Sequence, residues 1–198
     1  MRAPMKATGP ETKEKVLLHL CCAPDGTVPW PDLLAEGYAV EGFFYGNNIH
    51  PEEEFRRRLD AARILASSLG CPLHVLSYDP QSWIETTRGL AREPEGGARC
   101  LLCFRLQLEA AGDLAGSLGF SLLATTLTIS PHKDVTAVNA VGREVAARRG
   151  LVWLDRIWRK GGGFVRSVAE SRRLALYRQK YCGCLYSLRG DEDREKKP

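Results

Sequence analysis

Five short strand-like runs, separated by segments of helical periodicity, constrain this chain more than any other feature. Residues 16–20 (VLLHL) form the first run, and the others cover 40–45, 73–78, 121–126 and 151–154. Each is short enough for a buried strand and bounded by turn residues. Between them lie helical patterns. One starts at Pro51, carries apolar residues at Phe55, Leu59, Ala62, Ile64 and Leu65, and stops at Gly70. A second follows Cys100 to about Leu118, a third runs from Ser130-Pro131 to near Gly150, and a fourth covers about 167–180. Strands that alternate with helices predict an α/β fold with a mainly parallel five-stranded sheet and helices on both faces.

That architecture predicts where a site can lie, because open α/β sheets bind ligands at the carboxyl ends of their strands. Cys21 and Cys22 follow the first run, Asn47-Asn48-Ile49-His50 the second and Asp79 the third, while Thr125-Thr126 close the fourth. The chemistry-bearing residues therefore collect on one rim. Six of the seven cysteines fall in close pairs, Cys21–Cys22, Cys100–Cys103 and Cys182–Cys184, and Cys71 stands alone in a turn as a packing residue. Pairs so close are poor structural disulfides and point to metal or thiol redox chemistry. Cys100 and Cys103, three apart at a helix opening, share one face, and the helix N-terminus favours their thiolates. With Cys21 and Cys22 they could supply four thiolates to a [4Fe–4S] cluster or a tetrahedral zinc. Cys182-Gly183-Cys184 could close as a labile disulfide or chelate a metal. Asp25 is equally suited to ligate a second metal or to cap the next helix. His19 and His74 read as sheet residues, His50 as a rim residue able to meet a substrate, and His132 as a surface residue.

Charge narrows the partner. Residues 143–189 carry 12 Lys/Arg against 3 Asp/Glu, whereas residues 1–142 carry 13 against 17. A basic C-terminal part on a mildly acidic body suits a polyanion as well as it suits solvated helix faces. The chain has no run of about 18 apolar residues and so no expected membrane helix. Residues 1–14 lack the apolar middle region of a signal peptide and read as a flexible leader. Residues 190–198 read as a disordered charged tail, leaving 15–189 as a single domain. A cytoplasmic protein is expected, where thiols stay reduced. Neither a GxxxxGK[ST] loop nor a GxGxxG turn follows any strand, and Gly161-Gly162-Gly163 lies late, as a flexible loop.

The segments LLHLCCAPD, FFYGNNIHPEEEFRRRL, RCLLCFRLQL, TTLTISPHKD and SVAESRRLALYRQKYCGCLYSL, in that order over residues 15–189, resemble the cobalamin-independent epoxyqueuosine reductases of the QueH type. The resemblance implies a Rossmann-like fold related to the adenine nucleotide α-hydrolases without their ATP chemistry. It implies a [4Fe–4S] cluster and an adjacent metal or redox-active thiol site. The implied reaction removes the epoxide oxygen of epoxyqueuosine at the wobble position of tRNA, giving queuosine, with electrons from a donor the sequence does not name. Two positions depart from the pattern. Asp25 stands where many relatives carry cysteine, and Gly46 stands where many carry asparagine, which implies a differently built loop after the second strand.

On this resemblance Cys21, Cys22, Cys100 and Cys103 are expected to hold the cluster. Cys182, Cys184 and Asp25 are expected to form the neighbouring site, around a second iron ion or as a redox dithiol. Tyr45, Trp158 and Tyr186 are candidates for stacking on a splayed-out base and equally for the core. Arg156, Arg159, Lys160, Arg166, Arg172, Arg173 and Arg178 are candidates for phosphate contacts. The competing readings are a tRNA-modifying α/β enzyme of the thiolation type and a zinc-stabilised tRNA-binding module. CCAPDG occupies the place of the Ser-Gly-Gly-x-Asp-Ser loop that the first would need, and a zinc protein would be colourless.

Overall fold

The computed structural model describes residues 13–188. The expected tail, and all but the last two residues of the expected leader, lie outside them. Five strands, β1 (Lys15–Leu20), β2 (Ala39–Phe44), β3 (Leu73–Val75), β4 (Leu122–Thr125) and β5 (Val152–Trp153), form one sheet in the order β3-β2-β1-β4-β5. Every pairing is parallel. The chain steps outward from β1 to β3, returns beside β1 as β4, and steps out the other way to β5. The order therefore reverses between β1 and β4, which places the topological switch point there.

Strand side chains alternate between two cores, as period two requires. Val16, Leu18, Leu20, Val40, Phe44, Leu122 and Ala124 face one core. Helices α1 (Ala23–Gly26), α2 (Pro29–Ala35) and α3 (Glu52–Leu69) cover it, together with residues after α7 (Gly163–Arg173) such as Leu176. Leu17, Phe43 and Leu123 face the other core, under α4 (Pro80–Thr87), α5 (Ala98–Ser117) and α6 (Val135–Ala147). The doubly covered parallel sheet expected from the alternation is what forms.

The boundaries differ where local hydrogen bonding overrides periodicity. The third expected helix begins at Val135, not at Ser130-Pro131. Asp134 accepts from the amides of Thr136 and Ala137 at 2.9 and 3.2 Å, whereas Ser130 turns its hydroxyl to the His132 amide at 3.2 Å and closes a turn instead. The fourth begins at Gly163, after Gly162 takes φ +81°, and ends at Arg173, just before Ala175 enters left-handed space at φ +49°. Helices α1, α2 and α4 are too short for periodicity to mark, but each starts with proline at its first or second position, where a preset φ suits a helix.

The loop after β2 explains one of the departures. Gly46 has φ +76°, and a Cβ there would meet Phe55 Cε2 at 2.4 Å. Phe55 stacks on Tyr78 with ring centroids 4.1 Å apart, so the ring fills the space a side chain would need.

Candidate metal centre

Cys21 leaves β1 at the switch point. Its amide donates to Thr126 Oγ1 at 3.2 Å, and the Thr126 hydroxyl lies 3.6 Å from Cys21 Sγ, so the end of β4 fixes the first thiol. The chain then turns at once into α1, with Cys22 extended at the N-cap position and no side-chain cap. Asp25 lies inside that helix, not at its cap. Its Oδ2 is 3.1 Å from Cys21 Sγ, and the two sulfurs are 4.0 Å apart. One ligand atom from each of Cys21, Cys22 and Asp25 lies within 4.8 Å of the others, a span suited to a single ion. Among the described residues no hydrogen bond joins Asp25 to Cys182 or Cys184, the partners expected on the resemblance.

The second pair opens α5 as expected. Cys100 is buried and accepts from the Gly96 amide at 3.2 Å, and Cys103 accepts from Gln107 Nε2 at 3.1 Å. The third pair arrives from the far end of the chain. Gly183 has φ +122°, and its carbonyl accepts from the His50 amide at 2.8 Å. Arg58, only 2% exposed, donates to the carbonyls of Cys182 and Tyr181 at 3.0 Å each and is neutralised by Glu54 at 2.7 Å. Tyr177 hydroxyl completes Glu54 at 2.6 Å. Thus α3 clamps the Cys182-Gly183-Cys184 loop. Cys182 Sγ accepts from Lys133 Nζ at 3.0 Å, and Gln179 Nε2 donates to Cys22 Sγ at 2.9 Å. Arg58, Lys133, Gln107 and Gln179 are not singled out by the sequence, although all four lie in segments that carry the resemblance.

The electrostatics tie the pairs together. Burial pushes the Cys103 thiol well up, and Cys182, Cys184 and Cys100 add to the rise. Cys21 is raised by its bond to Cys22, by burial and by the Asp25 carboxylate. Burial also raises Asp25, against the bonds from Cys21 and Cys22 and the charges of Arg178 and Lys133. Burial works against the Lys133 ammonium, but Cys182, Glu95 and Cys100 more than offset it and hold its pKa above the ordinary lysine value. A buried thiol collection that resists ionisation by itself but faces fixed cations gives up its protons when a metal takes their place. All seven cysteines are free, and the six paired ones supply the soft donors that iron clusters use.

The remaining candidates separate cleanly. His19 is fully buried, hydrogen-bonds Thr125 Oγ1 through Nδ1 at 2.9 Å, and is driven by burial to a pKa of about 3, so it is a sheet residue. His74 pairs with Glu41 at 2.7 Å on the sheet. Asp79 caps α4 through the Ser82 amide at 3.3 Å. Tyr45 and Trp158 are core, the indole donating to Thr125 O at 2.9 Å. Tyr186 is half-buried beneath the Arg99 guanidinium, 4.5 Å from the ring centroid. Of the basic candidates, Arg156, Arg166 and Arg173 are paired to Glu36, Asp32 and Glu170, and Arg159 binds the carbonyls of Ser130 and Lys133. Lys160, Arg172 and Arg178 are exposed and make no ion pair among the described residues, and the same holds for Lys180.

A doubly wound parallel sheet with clustered thiols at its switch point defines an α/β protein whose site is built from sulfur rather than from a phosphate loop. Two solved structures share the fold. One is a predicted subunit of tRNA methyltransferase from Methanocaldococcus jannaschii, with a TM-score of 0.56, 15% identity, and 80% of this chain and 75% of that chain covered. The other is the U34-tRNA thiolase NcsA from Methanococcus maripaludis with its [4Fe-4S] cluster, with a TM-score of 0.56, 14% identity, and coverage of 89% and 62%. At such identity the likeness is one of fold. The sequence goes further, since the family model for epoxyqueuosine reductase QueH matches residues 16–190. The epoxyqueuosine reductase QueH of Haemophilus influenzae is 38% identical over 91% of this chain and 74% of its own length, and that of Thermotoga maritima is 33% identical over 91% and 93%. The chain belongs to the epoxyqueuosine reductase QueH family and is an oxidoreductase. No helix among the described residues is long and apolar enough to cross a membrane.

Proposed function

We propose that this protein reduces the epoxide of epoxyqueuosine in the anticodon loop of tRNA to give queuosine, using a thiolate metal centre at the switch point. Family membership carries the choice of substrate, and the meeting of three cysteine pairs from distant segments carries the choice of chemistry. The compact group Cys21, Cys22 and Asp25 would hold a single ion, for which iron is the reading. Cys100, Cys103, Cys182 and Cys184 would hold a [4Fe–4S] cluster. This division regroups the pairs expected on the resemblance, because Asp25 reaches Cys21 and because Cys184 and Cys103 pack in one cluster.

Removing the epoxide oxygen as water takes two electrons and two protons. When bound, the metals would supply electrons singly and Lewis-acid pull on oxygen. The chain's own residues do the positioning. Thr126 and Gln179 orient Cys21 and Cys22, and Arg58 holds the Cys182 loop at its backbone so that both sulfurs stay free for ligation. Arg178 and Lys133 direct positive charge at Asp25, which favours the carboxylate form that can bind metal. Exposed Lys160, Arg172 and Lys180 would meet tRNA phosphates, and half-buried Tyr186 is the remaining stacking candidate. A cytoplasmic setting agrees with seven unpaired cysteines.

Metal analysis of anaerobically loaded protein tests the centre. Brown protein with iron and sulfide is expected, with cluster absorbance lost in Cys100→Ser and Cys182→Ser and kept in Asp25→Asn. Loss of the cluster in Asp25→Asn, with retention in Cys182→Ser, would overturn the division. A colourless, zinc-filled protein would favour the binding-module reading.

A further inference from the structure

Among the described residues, four nitrogen donors touch the cysteine sulfurs, one on each of four thiols. The Gly96 amide donates to Cys100 at 3.2 Å, Gln107 to Cys103 at 3.1 Å and Gln179 to Cys22 at 2.9 Å, and all three are neutral. The fourth, Lys133, is a cation 3.0 Å from Cys182 Sγ, with its side chain 12% exposed. The lysine is held in place from its backbone. Arg159 donates to Lys133 O at 2.9 Å, and the next residue, Asp134, caps α6. Its carboxylate partner among the described residues is Glu95, 3.4 Å away and 47% exposed. A buried ammonium aimed at sulfur, with its counter-charge on the solvent side, stabilises negative charge on that sulfur.

We propose that Lys133 sets the reduction potential of the thiolate centre through its charged N–H···S bond to Cys182. The proposal rests on the reading that Cys182 is a cluster ligand. Each electron added to a thiolate-bound cluster increases its negative charge, so a fixed cation beside one ligand favours the reduced state. The three neutral donors withdraw density from sulfur without that charge. Glu95 partly cancels Lys133, so removing either partner must move the potential in opposite directions. Lys133 is in this sense a positioning residue, acting on the centre through Cys182.

The test is an anaerobic potentiometric titration of the iron-loaded full chain, read by visible absorption and electron paramagnetic resonance. Dithionite supplies one electron to the cluster, and no bond is made or broken. Lys133→Gln is expected to shift the midpoint to a more negative value with the cluster's sulfide per chain unchanged. Lys133→Arg is expected to stay near the wild type, and Glu95→Gln to shift to a more positive value. A Lys133→Gln midpoint equal to the wild type at equal cluster content overturns the proposal. Should Lys133→Gln fail to assemble, an unmoved midpoint in Glu95→Gln overturns it in its place. A Cys182→Ser protein that keeps its full cluster sinks the underlying ligand assignment instead, and this result is distinct because it is read from iron content alone.

Discussion

Arg58 shows how a single residue converts a buried charge into a positioned loop. Its guanidinium is spent on Glu54 and on two carbonyls, those of Tyr181 and Cys182, and no side-chain sulfur is consumed. Arg58→Met leaves Glu54 buried beside Tyr177 alone, and breaking a buried pair in this way costs about 3–5 kcal/mol. Chemical denaturation of the variant should show that loss, together with reduced iron content. Gly183→Ala is expected to act at the same loop by strain. The position has φ +122°, and its Cβ would lie 2.8 Å from Arg58 Nη1, for a cost of about 1–3 kcal/mol. Unchanged stability in both variants would mean that the loop is not clamped by α3. Sequence spacing can single out the cysteines but not this clamp, because Arg58 sits in a run of three arginines whose neighbours Arg56 and Arg57 face solvent. Helical periodicity around Phe55 and Leu59 puts position 58 beside the buried face, yet nothing local says what the guanidinium would meet 124 residues away.

At the scale of elements, strands are legible in the sequence and helix boundaries less so. The largely apolar segments at 16–20 and 40–44 suit a sheet covered on both faces, and β1 and β2 lie there. Ser130-Pro131 looks like the cap and first turn of α6, while Asp134 wins by accepting two amide bonds further along the chain. That choice matters for the site, because it leaves residues 130–134 as a turn from which Lys133 points at Cys182. Asp134→Ala should cost about 0.5–2 kcal/mol in thermal or denaturant unfolding. It should also loosen Lys133, giving a smaller copy of the shift in midpoint expected of Lys133→Gln. Stability loss with no movement of the midpoint would separate the cap from the lysine's position.

At the scale of the whole molecule, the reversal of strand order between β1 and β4 brings one rim of loops together with the C-terminal segment. This is why Cys21 packs against the cluster that holds Cys100, while Lys133 reaches Cys182 beside them. The rim itself is legible from the alternation of strands and helices. The division of ligands is not, because adjacency in sequence does not report which pair faces which across the sheet. The basic C-terminal part is also only half legible. A count of charges takes Arg156, Arg166 and Arg173 as free, but each is neutralised by an acid. Replacing Lys160, Arg172 and Lys180 together by alanine is therefore expected to weaken tRNA binding and to flatten its salt dependence, by about 0.7 log unit per log unit of salt for each phosphate no longer neutralised. Arg166→Ala, which removes an exposed pair to Asp32, should leave that slope where it was. Equal slopes for wild type and triple variant would place the tRNA elsewhere. The most direct test of the whole account is single-turnover conversion of epoxyqueuosine to queuosine in isolated tRNA, with anaerobically loaded protein and a chemical reductant, read by mass spectrometry of the digested tRNA. The account predicts conversion by the wild type, none by Cys100→Ser, and severely slowed conversion by Asp25→Asn at full cluster content. Unconverted epoxyqueuosine in the presence of folded, fully loaded wild-type protein would contradict it.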